Sequence, residues 1–116
     1  MARLTTHVLD TARGLPACGM RIELYSGAGE RRLLASTATN GDGRCDAPLG
    51  EGGEVPPGLY ELVFHAGDYF RSIGVTLPDP PFFDRVLLRF GIAEADGRYH
   101  LPLLLSPWSY FTYRGS

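Results

Sequence analysis

The sequence predicts an all-β protein, a two-sheet β-sandwich of seven to eight short strands built as one domain from residues 1–116. Three observations point there. Short stretches alternate apolar and polar residues at the period of a half-buried strand. Fifteen glycines and nine prolines punctuate those stretches, the pattern of many strands joined by turns. And 116 residues, 44% hydrophobic and 21% charged, suffice for one self-standing core with ordinary globular usage. No internal repeat or low-complexity tract interrupts the chain.

Leu4 to Leu9 is rich in β-branched residues and stops at Asp10, so it reads as a first strand with Thr5, His7 and Leu9 on one face. A turn with Gly14 and Pro16 follows. Met20, Ile22 and Leu24 alternate with Arg21, Glu23 and Tyr25, giving a second strand ended by Ser26 to Gly29. Leu33 to Thr39 supplies a third. Asn40, Gly41, Asp42 and Gly43 form the strongest turn signal in the chain. Beyond a glycine- and proline-rich loop, Leu59 to Phe64 sets Tyr60, Leu62 and Phe64 on one side of another strand. Phe70 and Ile73, spaced by three within Ala66 to Ile73, allow a helical turn or two. Asp79, Pro80 and Pro81 break the chain. Phe83 to Phe90 then resumes as a strand with Val86, Leu88 and Phe90 on one face, and Tyr99 to Leu105 and Tyr110 to Tyr113 complete the set. Tyr60, Phe64, Phe70, Phe82, Phe83 and Phe90 read as core and interface filling.

Composition narrows the function. Eleven arginines, no lysine and thirteen acidic residues give a formal charge of −2, without a basic run to track a phosphate backbone. Nucleic acid is not the expected partner. No apolar run approaches the ~20 residues of a membrane-spanning helix, and Met1 to Asp10 lacks the apolar core of a secretory signal; the expected location is cytoplasmic and off the membrane. Cys18 and Cys45 have no metal-type spacing and are expected to be free thiols. The Asp42, Gly43, Asp46 stretch has its glycine at the wrong offset for a calcium loop. A Gly-x-Ser-x-Gly elbow is absent. Asp79 and Asp84 are explained by turn positions.

Of the three histidines, His65 has no assigned role. His7 lies on an early strand and His100 on a late one, and a sandwich can bring such strands onto one face. Two imidazoles converging on a water would form a general acid/base pair near neutral pH. Arg44 follows the turn glycine Gly43; its planar guanidinium offers paired donors to a carbonyl or enolate oxygen.

Leu4 to Asp10, followed by the Gly14, Leu15, Pro16, Ala17 turn, resembles the opening of the 5-hydroxyisourate hydrolases, the transthyretin-related enzymes. Transthyretin shares that turn. Asn40 to Arg44 resembles the family's arginine turn. His100 to Pro107, followed by Tyr113, Arg114, Gly115 and Ser116, resembles its closing segment, so the likeness covers essentially the whole chain. Phe111 and Trp108 depart from the family pattern at positions that line or pack.

The resemblance implies a transthyretin-like sandwich with one short helix, assembled as a homotetramer with sites at the dimer–dimer interface. It implies hydrolysis of the N1–C6 amide of 5-hydroxyisourate in urate breakdown, without metal or cofactor, by His-assisted attack of water. Catalysis would fall to His7, Arg44, His100 and Ser116, and substrate binding to His7, Arg44, Tyr113 and Arg114. Ser116 would contribute its hydroxyl or a terminal carboxylate. Two other classes remain: a carrier holding small aromatic ligands in a channel, and a structural sandwich used for protein contacts.

Overall fold

The alternating stretches become strands, and the stretches rich in glycine and proline become turns. The computed structural model describes residues 1–27 and 29–116. Its strands are β1 (Arg3–Asp10), β2 (Leu15–Pro16), β3 (Arg21–Ser26), β4 (Leu33–Ala38), β5 (Gly58–Phe64), β6 (Val86–Ile92), β7 (Arg98–Leu105) and β8 (Tyr110–Thr112). One helix, α1 (Ala66–Ser72), joins β5 to β6. The strands form two four-stranded sheets, ordered β2-β1-β7-β8 and β4-β3-β5-β6. All neighbours are antiparallel except β1 and β7, which run parallel from Arg3 opposite Arg98 to Asp10 opposite Leu105.

The inner faces of the two sheets make the core, so the predicted all-β sandwich with one short helix is the fold observed. Leu4 and Val8 of β1, Ile22 and Leu24 of β3, Leu62 and Phe64 of β5, and Leu103 and Leu105 of β7 are all fully buried. Each contributes ~1.5–3 kcal/mol relative to an exposed side chain. The period of two then forces the intervening residues Thr5, His7 and Leu9 onto the outer face of β1, where all three are half-buried.

Several boundaries differ from expectation. The two-residue β2 is too short to show alternation in the sequence; it pairs with Leu9 and Asp10 as the return of the Gly14 turn. β6 starts at Val86 and not at Phe83, because the backbone before it is committed elsewhere: the Asp84 carbonyl accepts the Gly67 N–H at 2.8 Å, tying that segment to the start of α1. Phe82 is accordingly exposed, and Phe83 and Phe90 are only partly buried. The turn expected over Ser26 to Gly29 includes Ala28, which lies outside the described residues.

Two polar clusters brace the sandwich. Asp10, fully buried, accepts the Tyr69 hydroxyl at 2.8 Å and the Arg13 Nε–H at 3.0 Å, and so clamps α1 to the end of β1. His65 bonds Glu23 at 2.7 Å from the start of the helix, and that contact holds the Glu23 carboxyl below its usual range. Cys18 and Cys45 are free, as expected; burial pushes the Cys45 thiol up and makes it a poor nucleophile. Among the described residues, no helix is long and apolar enough to cross a membrane.

Candidate active site

β1 is the element that gathers the polar residues. Its partner on one edge is β7; on the other, beyond β2, runs the segment after the Asn40 turn, which touches β1 through isolated bridges from His7 to Arg44 and from Leu4 to Leu49. Asn40 builds the turn that aims Arg44. Its Oδ1 accepts the N–H of Asp42 at 2.9 Å and of Arg44 at 3.2 Å, and its own N–H donates to the Arg44 carbonyl at 2.7 Å. The Gly43 carbonyl then accepts the Val8 N–H at 2.8 Å, fastening the turn to β1 beside His7.

His100 enters from the other side. Parallel register sets it opposite Thr5, whose hydroxyl lies 2.8 Å from His100 Nδ1. The chain end returns along the far edge of β7, where the Gly115 N–H donates to the His100 carbonyl at 2.7 Å. A side chain at Gly115 would put its Cβ 2.6 Å from His100 Cδ2, so only glycine lets the backbone lie against the imidazole. Ser116 follows directly.

These approaches enclose a depression of about 390 Å³ lined by Thr5, Arg44, His100 and Ser116 together with Arg3, Arg98 and Tyr99. His7 stands one strand step farther along β1 and is not part of that wall, yet its charge reaches His100. Burial first, then Arg44, then His7 push the His100 imidazole below the ordinary histidine value, because each disfavours the cation. A neutral imidazole, a guanidinium and a hydroxyl thus share one cleft. Such a set can take a proton from water and hold a developing oxyanion.

Two of the expected binding residues do not line this depression, but Arg114 lines an adjoining one of about 230 Å³ that also has His100 and Tyr99 in its wall. The Arg114 guanidinium lies 4.3 Å over the Tyr99 ring and donates to the Arg98 carbonyl at 3.3 Å, behind Tyr99. Tyr113 is half-exposed with its ring 5.7 Å from Phe111.

The sequence of residues 4–115 matches the model of the HIUase/Transthyretin family. The chain belongs to the HIUase/Transthyretin family. Curated relatives include the 5-hydroxyisourate hydrolase of Pseudomonas aeruginosa, 61% identical over 100% of this chain and 93% of its own length. 5-Hydroxyisourate hydrolase 2 of Rhizobium meliloti is 64% identical, over 98% of this chain and 96% of its own. Among solved structures, (S)-allantoin synthase matches 99% of this chain with a TM-score of 0.91 and 47% identity; this chain spans only 44% of that one. Transthyretin from Sparus aurata matches 97% of this chain and 95% of its own, with a TM-score of 0.83 and 29% identity.

Proteins with different names therefore share this backbone, and the fold alone does not assign a function. Thr5 is the residue of the cleft that sequence reasoning passed over. A threonine on a strand has no local signature, and its partner His100 lies 95 positions away. Thr5 is a positioning residue for the His100 ring. Thr5→Val is expected to lower kcat about tenfold, the effect of one lost hydrogen bond of ~1.4 kcal/mol, with little change in KM. Thr5→Ser restores the hydroxyl and the rate; equal kcat for the valine variant and the native protein would remove Thr5 from this role.

Proposed function

We propose that the chain hydrolyses the N1–C6 amide of 5-hydroxyisourate to 2-oxo-4-hydroxy-4-carboxy-5-ureidoimidazoline, and that His7, Arg44, His100 and Ser116 carry the reaction. One observation bears most of this reading: four segments distant in sequence bring a neutral histidine, an arginine and a serine to one cleft, with a second histidine beside it. The names of the relatives supply the substrate.

With Nδ1–H donating to Thr5 Oγ1, His100 Nε2 keeps its lone pair and takes the proton of the attacking water. Arg44 holds the C6 oxygen as negative charge develops on it. His7, next to Arg44, returns a proton to the departing N1, and the Ser116 hydroxyl orients the water. Tyr113 and Arg114 contribute to substrate binding, Arg114 from the depression that it lines with His100 and Tyr99. The proposed reaction uses neither metal nor cofactor.

The homotetramer belongs to the same proposal, with sites at the dimer–dimer interface. Of the apolar residues of β6 and β7, Val86, Leu88, Leu103 and Leu105 are spent on the chain's own core. Leu87 of β6 stays exposed, as does a fringe of aromatic side chains, Trp108, Tyr110, Phe111 and Tyr113, in and around β8 at the edge of the other sheet. Sedimentation equilibrium should give four 12.7-kDa chains; a monomer at micromolar concentration would end this part of the proposal. The reading places the enzyme in the cytoplasm.

The direct test generates 5-hydroxyisourate from urate with urate oxidase and follows its ultraviolet decay. Decay no faster with the protein than without it rejects the activity. The pH profile supplies a second expected result. His100 acts as a base only when neutral, so kcat/KM is lost as pH falls through its lowered pKa. The acid limb therefore lies below the ordinary histidine value of 6.5. A limb above 6.5 contradicts the assignment of His100 as the base.

A further inference from the structure

The cleft has a feature that neither the histidines nor Arg44 explain. Alternation along β1 and β7 continues outward from Thr5 and His100 to Arg3 and Arg98, which are register partners. Neighbouring strands lie about 4.8 Å apart and register partners of a parallel pair point to the same face, so two guanidinium groups project side by side. Their Cα atoms stand one two-residue step, about 6.6 Å along the strands, from those of Thr5 and His100. Like charges set directly opposite one another are destabilising in a sheet, so this pair carries a cost in the absence of an anion.

Among the described residues, no carboxylate lies within ion-pair distance of either guanidinium. Arg3, Arg44 and Arg98 all line the depression that contains His100, and no aspartate or glutamate side chain lines it with them. Among the described residues, Arg13, Arg21, Arg31 and Arg71 each pair with a carboxylate, whereas Arg3 and Arg98 pair with none. Glu54 and Asp96 border a neighbouring depression that the two arginines also line, and Asp96 faces the Met1 amino group at 3.8 Å.

We infer that Arg3 and Arg98 form a carboxylate-binding subsite at the edge of the cleft, and that its ligand is the carboxylate made by the reaction. The inference rests on the function proposed above. Water adds its oxygen to C6, the N1–C6 bond breaks, one proton passes to N1 and the other leaves to solvent. A neutral amide carbonyl has then become a carboxylate. Two planar guanidinium groups one strand step from His100 match that group in charge and in bidentate geometry. The subsite draws the ring-opened product away from the imidazole and leaves Arg44 free for the next substrate.

Two measurements test it. In the first, benzoate and its neutral isostere benzamide are titrated into the native protein at about 20 mM salt, where surface charges are weakly screened, and the His100 imidazole resonances are followed by NMR. Benzoate is expected to bind more tightly than benzamide. Arg3→Gln and Arg98→Gln should each weaken benzoate about threefold, and the double variant about tenfold, the scale of exposed ion pairs, with benzamide unmoved. Unchanged benzoate binding in the double variant, or an equal loss for benzamide, overturns the subsite. Arg3→Lys with Arg98→Lys keeps the charge and loses the fork, and is expected to fall between.

In the second, progress curves of 5-hydroxyisourate hydrolysis are fitted for product inhibition, which should be weaker in the double glutamine variant. Hydrolysis with identical product inhibition in both proteins overturns the assignment of the product as ligand. Absence of hydrolysis by the native protein rejects the proposed function instead, and the benzoate titration then decides the subsite alone.

Discussion

His100→Ala is expected to lower the rate of 5-hydroxyisourate hydrolysis by about 10²–10⁴, the range for a positioned general acid or base. The loss should fall on kcat, because the imidazole acts on water in the transition state and not on the resting substrate. His100 is half-buried on the outer face of β7, and its backbone bonds to β1 and Gly115 do not depend on the side chain. The variant should therefore fold and melt within a few degrees of the native protein. Stopped-flow decay of freshly generated substrate, read beside a thermal melt, checks both. A His100→Ala protein that is folded and fully active would transfer the role of base to His7, the other imidazole near the cleft.

The contrast between His100 and its supports shows what a single sequence can disclose. The period of two marks β1, β3 and β5 directly, since each has one face in the core and the other outside it. That same period puts His7 and Thr5 on one face of β1 with no knowledge of its neighbours. It cannot reveal β2, because two residues contain no period, nor the late start of β6, which depends on a long-range bond from Gly67 to Asp84. His7, Arg44 and His100 are legible as chemistry because their side chains are unusual where they stand. Their grouping is not, for it depends on register between β1 and β7, and register is a tertiary choice. Thr5 and the Arg3–Arg98 pair escape notice for the same reason: each becomes significant only opposite its partner. The resemblance also extends the site to Tyr113 and Arg114; Arg114 lines, with His100 and Tyr99, a depression that adjoins the one shared by His100 and Arg44.

Gly43→Ala is expected to cost both stability and activity. Gly43 has φ +74°, a conformation that L side chains rarely adopt. It is also buried, and a Cβ there would run into the Val8 carbonyl oxygen and crowd Pro16 Cβ at 3.2 Å. The obstruction is backbone, so no rotamer change relieves it. The turn must lift away from β1, and in doing so it strains the bond from the Val8 N–H to the Gly43 carbonyl. Backbone strain of this kind costs ~1–3 kcal/mol. The catalytic consequence follows from position: Arg44 is the next residue and bridges His7, so a turn displaced by even an ångström carries the guanidinium off the reacting oxygen. Misplacement on that scale can cost about 10²-fold in rate. The control is Gly41→Ala in the same turn, where φ is not positive and a Cβ would meet nothing within 4 Å. Gly41→Ala should melt and turn over like the native protein, and Gly43→Ala should do neither. Native-like behaviour of both would mean that the turn yields without moving Arg44, and that the guanidinium is held in the cleft by something other than its attachment to β1.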